Sequence, residues 1–366
     1  MFIYDLANWP DFEFDEAALA SQLAAVRYQQ GLLLGRMQGL GFGLQEEAYL
    51  RTLTEDVVKS GEIEGEILDR DQVRSSIASR LGIDIGGLKK ADREVEGFCQ
   101  MMVDATQNFE VKLTKKRLCG WHRLLFPYGK SGGMKIKTGD YRDDARGPML
   151  AVSGWMGKER VHFRAPEAER LSKEMSVFLS WFNGEPSIDP VIKSGIAHLW
   201  FLTLHPFEDG NGRIARAIAD MALSLAERSK RRFYSMSNQI REERKSYYQL
   251  LEDTQKASMD ITAWLTWYLG CLERSIQAAE TSLDFVVRKS NFWTVHATTS
   301  LNERQRKVLQ KLLEGFQGKL TSSKWASLAG CSQDTAIRDI NDLIDKQIIE
   351  KAEAGGRSTS YQLIRI

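Results

Sequence analysis

Cysteine is scarce in this chain of 366 residues, and its four cysteines lie far apart, at Cys99, Cys119, Cys271 and Cys331. They form no C-x-x-C pair and no disulfide-framework spacing, so we expect free thiols in a reducing compartment. Histidine is also scarce, and the five histidines include no H-E-x-x-H pair. The sequence therefore argues against a disulfide-rich secreted scaffold and against a zinc site of the H-E-x-x-H pattern.

Long apolar runs and a charge excess are missing as well. No run approaches the ~20 apolar residues that a membrane-spanning helix needs, and the first residues, MFIYDLANWPDF, lack the basic segment and cleavage site of a secretory signal. The 50 Lys and Arg residues against 49 Asp and Glu residues give a formal net charge of +1. That charge provides no general attraction to nucleic acid or to an anionic membrane. We expect a cytoplasmic protein with no membrane partner.

The densest group of chemically active side chains lies at residues 205–216, HPFEDGNGRIAR. Apolar residues at helical spacing precede it over 192–204 and follow it over 214–226, which predicts a polar loop between two buried helices. Pro206 should end the first helix near His205, because proline does not continue a helix.

The side chains of this loop suit the transfer of a group from a polyphosphate. Backbone N–H groups at the start of a helix form an anion site, and Arg213 and Arg216 share one helix face from which they could bind phosphate oxygens. Asp209 is a hard ligand of the kind that Mg²⁺ prefers. His205, with an ordinary pKa of about 6.5, could take a proton from an attacking hydroxyl. Phe207, the apolar residue of the loop, should anchor it in the core.

The segment resembles the HxFx(D/E)GNGRxxR motif of the Fic family, with every fixed position filled, and the likeness extends over about 113–269. The resemblance implies a mainly α fold: a Fic-type helical core with a β-hairpin flap. It also implies transfer of AMP from ATP to a hydroxyl side chain of a target protein, or of the chain itself. The Doc-like branch, which phosphorylates, carries Lys where this chain has Gly212, and this difference favours AMP transfer.

The resemblance also assigns roles to residues. His205 would be the general base and Asp209 the Mg²⁺ ligand. The amides of 210–212, with Asn211, would hold the α- and β-phosphates, and Arg216 would orient the γ-phosphate. Tyr247 or Tyr248 would line the adenine pocket, although aromatic residues at helical spacing are also typical of a core. The implied nucleotide-binding set is Phe207, Gly210, Asn211, Gly212, Arg213, Arg216, Tyr247 and Tyr248.

Residues 149–163 read as two short strands, at 149–152 and 160–163, around a glycine-containing turn. By resemblance they form the flap, on which a segment of the target protein docks by strand addition. An ordinary surface hairpin remains the alternative.

Upstream, Ser60 and Glu64 lie four residues apart, on one face of a helix. With Gly65 they resemble the (S/T)xxxE(G/N) inhibitory motif of the Fic family. The resemblance implies that Glu64 pairs with Arg216 and keeps the γ-phosphate out. A solvated acidic face is the alternative, because other acidic residues lie nearby, at Glu55, Asp56, Glu62 and Glu66.

These patterns predict four segments: a helical N-terminal domain at 1–112, which resembles a domain of unknown function that precedes the Fic core in some bacterial members, the core at 113–276, a connector at 277–300, and a winged helix-turn-helix domain at 301–366. In the last, Asn302 and Ser332 should begin helices and Gly330 should end one. Its third helix is acidic for a DNA reader, so DNA binding and protein binding both stay open.

Two other functions remain open at this point. One is a DNA-binding transcriptional regulator that uses the nucleotide pocket as a sensor. The other is an enzyme that removes AMP, because the inhibitory glutamate takes part in that reaction in some family members. The target protein, the formation of homo-oligomers and the signal that relieves inhibition are not given by the sequence.

Overall fold

The computed structural model describes residues 1–85, 87–153, 160–185, 187–256, 258–313, 318–352 and 359–364. The chain divides into two compact units, Met1–Ala279 and Glu280–Ile366. In the part described, the chain is mainly α-helical with short antiparallel two-stranded sheets, so the predicted mainly α fold is confirmed. Among the described helices, none combines the length and the apolar character needed to cross a bilayer.

The first unit starts with a short 3-10 helix, Ile3–Asp5, and contains most of the helices. In chain order its helices and strands are α1 (Glu16–Gln38), α2 (Phe42–Ile63), α3 (Arg70–Leu81), α4 (Arg93–Gln107), α5 (Lys115–Leu125), β1 (Lys130–Ser131), β2 (Met134–Lys135), β3 (Leu150–Ser153), β4 (Arg160–Arg164), α6 (Ala168–Asn183), α7 (Pro190–Leu204), α8 (Asn211–Glu227), α9 (Met236–Glu242) and α10 (Arg244–Gln255), and α11 (Thr262–Val295) begins in it.

Helices α7 and α8 form the centre of this unit. Every residue of α7 from Val191 to Leu204 is buried, and most of them are apolar, as expected of a helix in the interior. Its start is fixed by Asp189, whose side chain accepts from the Val191 N–H at 2.7 Å, and by Pro190 at the first helical position. Helix α8 packs along α7 and is buried through most of its length. The loop between them is therefore held from both ends.

A buried ionic group ties α2 to α8. The Arg232 guanidinium lies 2.5 Å from Asp220 on α8 and 3.3 Å from Asp56 on α2, and all three side chains are buried. Burial, and next the charge of Asp220, raises the pKa of Asp56 to about 7. Breaking such a group by removing one partner is costly, because a buried charge is left unpaired. The middle of α2 is therefore firmly attached to the central pair.

The second unit contains the end of α11, followed by α12 (Glu303–Leu313), α13 (Ser322–Ala329), α14 (Gln333–Asp345), β5 (Ile349–Lys351) and β6 (Tyr361–Leu363). Its core is built around Trp325, Ile340 and Leu343. The predicted caps at Asn302, Ser332 and Gly330 are confirmed. The strands pair antiparallel, and the predicted turn at 355–357 lies outside the described residues. Three helices and a hairpin agree with a winged helix-turn-helix domain, which stays a prediction.

Candidate active site

The loop with the predicted active residues runs from His205 to Gly210, between the end of α7 and the start of α8. His205 has a φ of 48°, a left-handed conformation that is uncommon for a residue with a side chain. Arg142 holds it there: its Nε donates to the His205 carbonyl at 2.8 Å, and its backbone N–H donates to the Pro206 carbonyl at 3.0 Å. The 139–142 segment thus fixes the position of the loop.

The imidazole of His205 is oriented for proton acceptance. Its Nδ1 lies 3.3 Å from the Leu202 carbonyl oxygen, and since a carbonyl only accepts, Nδ1 carries the proton. The lone pair is then on Nε2. Burial lowers the pKa of His205 to about 4, so the ring is neutral at neutral pH. A neutral ring with one basic nitrogen is the form that a general base requires.

Phe207 anchors the loop. Its side chain is fully buried and stacks on the ring of His122, with centroids 4.3 Å apart and 9° between the planes. Because no part of the side chain is accessible, Phe207 cannot touch a nucleotide in this conformation. The sequence predicts that it binds the nucleotide, and here it supports the loop instead.

His122, which the sequence did not single out, joins three segments. Its Nδ1 accepts from the Gly139 N–H at 2.9 Å, so Nε2 carries the proton and donates to the Asp209 carbonyl at 3.2 Å. The only signal in the sequence was a histidine between Trp121 and Arg123 in α5, a helix of mixed apolar and basic residues, and that indicates no particular role.

Asn211 closes the loop on itself. Its Oδ1 accepts from the Phe207 N–H at 3.0 Å, and its Nδ2 donates to the Phe207 carbonyl at 2.8 Å. Both polar ends of the side chain are thereby engaged, so the side chain shapes the loop. The groups oriented toward an anion are the backbone N–H groups of the first turn of α8, which have no intrahelical partner.

Gly210 is required at its position for two reasons. Its φ of 78° is left-handed, and a Cβ at this position would lie 2.8 Å from the Phe126 ring. A side chain would therefore be strained and would also push the loop away from α5.

Asp209 is the candidate Mg²⁺ ligand. One carboxylate oxygen accepts from the Gly210 N–H at 2.6 Å, and the other accepts from the Ser131 hydroxyl. The carboxylate lines a cavity of about 250 Å³ together with Glu208. Among the described residues, no group of three or more His, Cys, Asp or Glu side chains could hold a metal by itself. One or two carboxylates with substrate phosphates and water is the usual arrangement for Mg²⁺, so these oxygen donors fit that ion.

Arg213 and Arg216 are both buried on α8, and each is engaged by a carboxylate from the end of α2. Arg216 donates from Nη2 to Glu64 at 2.7 Å, from Nε to the Ser60 hydroxyl at 2.7 Å and from Nη2 to the Ser60 carbonyl at 3.0 Å. Arg213 donates from Nη1 to both oxygens of Glu66, at 2.8 and 2.7 Å. The predicted Glu64–Arg216 pair is thus present, and the Glu66–Arg213 pair was not foreseen.

The Glu64 carboxylate also covers the first turn of α8. A Cβ placed on Gly212 would lie 2.1 Å from Glu64 Oε1. The carboxylate therefore stands where the N-terminal N–H groups of α8 attract an anion. A phosphate oxygen and this carboxylate would compete for one place.

The end of α2 presents these carboxylates through a Schellman motif. The Glu66 N–H donates to the Gly61 carbonyl at 3.0 Å, and the Gly65 N–H donates to the Glu62 carbonyl at 3.1 Å. Gly65 has the left-handed φ of 86° that this motif demands. Residues 64–66, which we call the cap segment, are thereby held with both acidic side chains toward α8.

A cavity of about 670 Å³ opens beside His205, Gly212 and Glu64. Tyr247 and Tyr248 both line it. Tyr247 is buried, with its hydroxyl 3.0 Å from His198 Nε2, whereas Tyr248 is 38% exposed. Tyr248 therefore offers the larger accessible ring face to a base, and Tyr247 supports the wall behind it.

The flap forms the other wall of this cavity. Strands β3 and β4 pair antiparallel with an irregularity between Ala151 and Val152, so the predicted hairpin is confirmed, while its turn at 154–159 lies outside the described residues. Glu252 on α10 accepts from His162 Nδ1 at 2.5 Å and from Arg160 at 3.2 Å. These contacts hold β4 against the helix that carries the two tyrosines.

Residues 112–223 match the family model described as Fic/DOC family, and residues 2–83 match the model described as domain of unknown function (DUF4172). The chain is 26% identical over 251 residues to the protein adenylyltransferase Fic of Culex quinquefasciatus, an alignment that covers 66% of this chain and 44% of that protein. It is 25% identical over 236 residues to the protein adenylyltransferase Fic of Drosophila melanogaster, an alignment that covers 63% of this chain and 42% of that protein. The chain thus spans less than half the length of these relatives.

Two solved structures share the fold. A Fic family protein from Desulfovibrio desulfuricans G20 has a TM-score of 0.50 at 23% identity, over 95% of this chain and 96% of that one. A Fic domain containing signaling protein from Bacteroides thetaiotaomicron VPI-5482 has a TM-score of 0.52 at 20% identity, over 70% and 95%. With the loop motif complete and its geometry in place, the protein carries a Fic/DOC family domain.

Proposed function

We propose that this protein transfers AMP from ATP to a hydroxyl side chain of a target protein, and of its own chain. The observation that carries the proposal is a neutral, oriented His205 next to the anion-attracting first turn of α8, at the edge of an open cavity. The names of the relatives, protein adenylyltransferase, support the same reaction.

In the proposed reaction the target hydroxyl attacks the α-phosphorus of ATP. A new oxygen–phosphorus bond forms, the bond between the α-phosphorus and the bridging oxygen breaks, and pyrophosphate leaves. The hydroxyl proton moves to Nε2 of His205, while the Leu202 carbonyl holds Nδ1–H. The negative charge of a bound triphosphate favours the protonated ring and so raises the pKa of His205 above its value of about 4. The base is therefore stronger when substrate is present.

The remaining residues of the loop bind and orient. The N–H groups of the first turn of α8 receive the phosphates, and Asn211 and Phe207 keep the loop in shape for them. Mg²⁺, when bound at Asp209, would neutralise phosphate charge. The base of ATP would lie against Tyr248, and a segment of the target would add to β3 as a further strand.

We further propose that Glu64 inhibits this reaction. Its carboxylate engages Arg216 and covers the first turn of α8, so a triphosphate has to displace it. The ion pair between Arg216 and Glu64 is only partly exposed, and solvent screens it little. While Glu64 remains on Arg216, the γ-phosphate cannot reach that arginine, so the wild-type protein should hold ATP in an unproductive position.

The position of the label on ATP tests the reaction. The Glu64→Gly variant is incubated with Mg²⁺ and with ATP labelled at either the α- or the γ-phosphate, and the protein is then separated and counted. AMP transfer leaves label on the protein from α-labelled ATP only. Stable label from γ-labelled ATP would mean phosphate transfer and would overturn the proposal, as would no label from either.

Gly65 offers a test of the cap segment that removes no charge. At its φ of 86° an added side chain meets no atom within 4 Å, so Gly65→Ala costs only backbone strain, about 1–2 kcal/mol. We expect the initial rate of self-labelling to rise about three- to tenfold, since both carboxylates are loosened. Gly65→Asn is the matched control, because asparagine tolerates the left-handed region. Equal rates for both variants and the wild type would contradict a role for the cap segment.

The second unit keeps DNA binding as a second candidate function. Two of the aspartates that made α14 look too acidic are engaged within the unit: Asp339 accepts from Arg304 at 2.9 Å, and Asp342 lies 2.5 Å from Lys346. Binding of duplex DNA that weakens steeply with salt is the result this function requires.

The other alternative is that the protein removes AMP from a modified target. Incubating AMP-modified protein with the wild type and with the Glu64→Gly variant, and measuring the AMP released, tests this alternative.

A further inference from the structure

The proposed function leaves Glu66 without a role, although its contact is as direct as that of Glu64. Both Glu66 oxygens lie within 2.8 Å of Arg213 Nη1, and the Glu66 side chain is 43% exposed. A half-exposed carboxylate on a buried arginine is in a position to be exchanged for another anion that reaches the same guanidinium.

The cap segment carries two carboxylates, and α8 carries two arginines that face them. In the Schellman motif, Glu64 and Glu66 stand on either side of the left-handed Gly65. On α8, Arg213 and Arg216 are three residues apart and share one face. One turn of backbone thus presents two carboxylates to the two arginines, in the way that two phosphoryl groups of a nucleotide would meet them.

Both arginines still have donors for an anion. Arg213 Nε and Arg216 Nη1 are buried, and neither has a hydrogen-bond partner among the described residues. Arg213 also packs against two rings, with its guanidinium carbon 5.0 Å from the Phe126 centroid and 5.9 Å from that of Phe98. Because the arginine is fixed in this way, the carboxylate is the partner that moves when a phosphate arrives.

We propose that Glu66 is a second phosphate-mimicking carboxylate, which occupies Arg213 and lowers the affinity of the site for polyphosphates separately from Glu64. The inference rests on the proposed function, because it assumes that Arg213 binds phosphate. It differs in effect: Glu64 governs whether the triphosphate is placed productively, whereas Glu66 governs how tightly any polyphosphate is held.

Binding of inorganic pyrophosphate to the full chain, measured by calorimetry, tests this without any transfer of AMP. We expect Glu66→Gln to tighten pyrophosphate binding about three- to tenfold, both alone and together with Glu64→Gly. In assays of self-labelling it should lower the KM for ATP and change kcat little. Glu62→Gln is the matched control, since Glu62 contacts Lys59 and Arg241 and should change nothing.

An unchanged or weaker affinity for pyrophosphate in Glu66→Gln would overturn the inference. Glu66→Ala repeats the test with the side chain removed, and in an Arg213→Gln background the effect of Glu66→Gln should vanish. If Glu66→Gln still tightens pyrophosphate binding in the Arg213→Gln protein, that result also contradicts the inference. If pyrophosphate binds more tightly and no variant transfers AMP, Glu66 retains its role and the proposed reaction fails.

Discussion

Replacing His205 by alanine in the Glu64→Gly protein is expected to lower the rate of AMP transfer by about 10²- to 10⁴-fold, the usual contribution of a general base. The structure gives the reason: Nδ1 is engaged with the Leu202 carbonyl, so Nε2 is the nitrogen that can take the hydroxyl proton. The measurement is the initial rate of label transfer from α-labelled ATP at saturating Mg²⁺.

His205→Asn controls for the backbone at this position. His205 has a φ of 48°, which asparagine tolerates better than alanine. Asparagine has no basic nitrogen, so both variants should lose activity while pyrophosphate still binds. Retention of more than about a tenth of the rate in both variants would show that another group accepts the proton.

Replacing Glu64 by glycine is expected to raise the initial rate of self-modification about ten- to a hundredfold. A hydrogen bond to a charged group contributes about 1.5–3 kcal/mol, and each 1.4 kcal/mol changes an equilibrium tenfold. The carboxylate that engages Arg216 and covers Gly212 is lost, and the γ-phosphate can occupy the arginine. Mass spectrometry of the protein after incubation with ATP and Mg²⁺ should show one or more added AMP groups.

Two comparisons make this result specific. Glu62→Gln removes a carboxylate from the same turn that does not contact Arg216, and its rate should equal that of the wild type. Ser60→Ala removes the hydroxyl that accepts from Arg216 Nε at 2.7 Å and should activate less than Glu64→Gly, since the carboxylate remains. Equal rates for Glu64→Gly and the wild type would remove the inhibitory role from Glu64.

The local features of the site could be predicted because local physics determines them. Pro206 predicted an end of α7 near His205, and the end is observed at Leu204. Apolar spacing over 214–226 predicted the next helix, and α8 is observed from Asn211 to Glu227. The face shared by Ser60 and Glu64 followed from helical spacing, and the family likeness supplied the partner, Arg216. Apart from that partner, residues within one or two turns of each other carried the information.

Features that depend on packing between distant segments could not be foreseen. In the sequence, Glu66 is one of several neighbouring acidic residues, and nothing distinguishes it from them. Only the fold brings it to Arg213, 147 positions along the chain. The inward orientation of the Asn211 amide and the stacking of His122 on Phe207 are of the same kind. Burial alone distinguishes Tyr247 from Tyr248, and no spacing rule predicts which of two adjacent aromatic residues faces a cavity.

The buried Asp56–Arg232–Asp220 group limits how activation can take place. It anchors α2 to α8 about two turns before the cap segment. Detaching the whole helix would therefore separate Asp56 from Arg232 in the interior, which is costly. The movement that costs the least free energy is a rotation of the Glu64 and Glu66 side chains, with a small unwinding at Gly65. A stimulus that turns the protein on would thus leave α2 in place, and activity could rise by degrees as nucleotide competes with the cap segment.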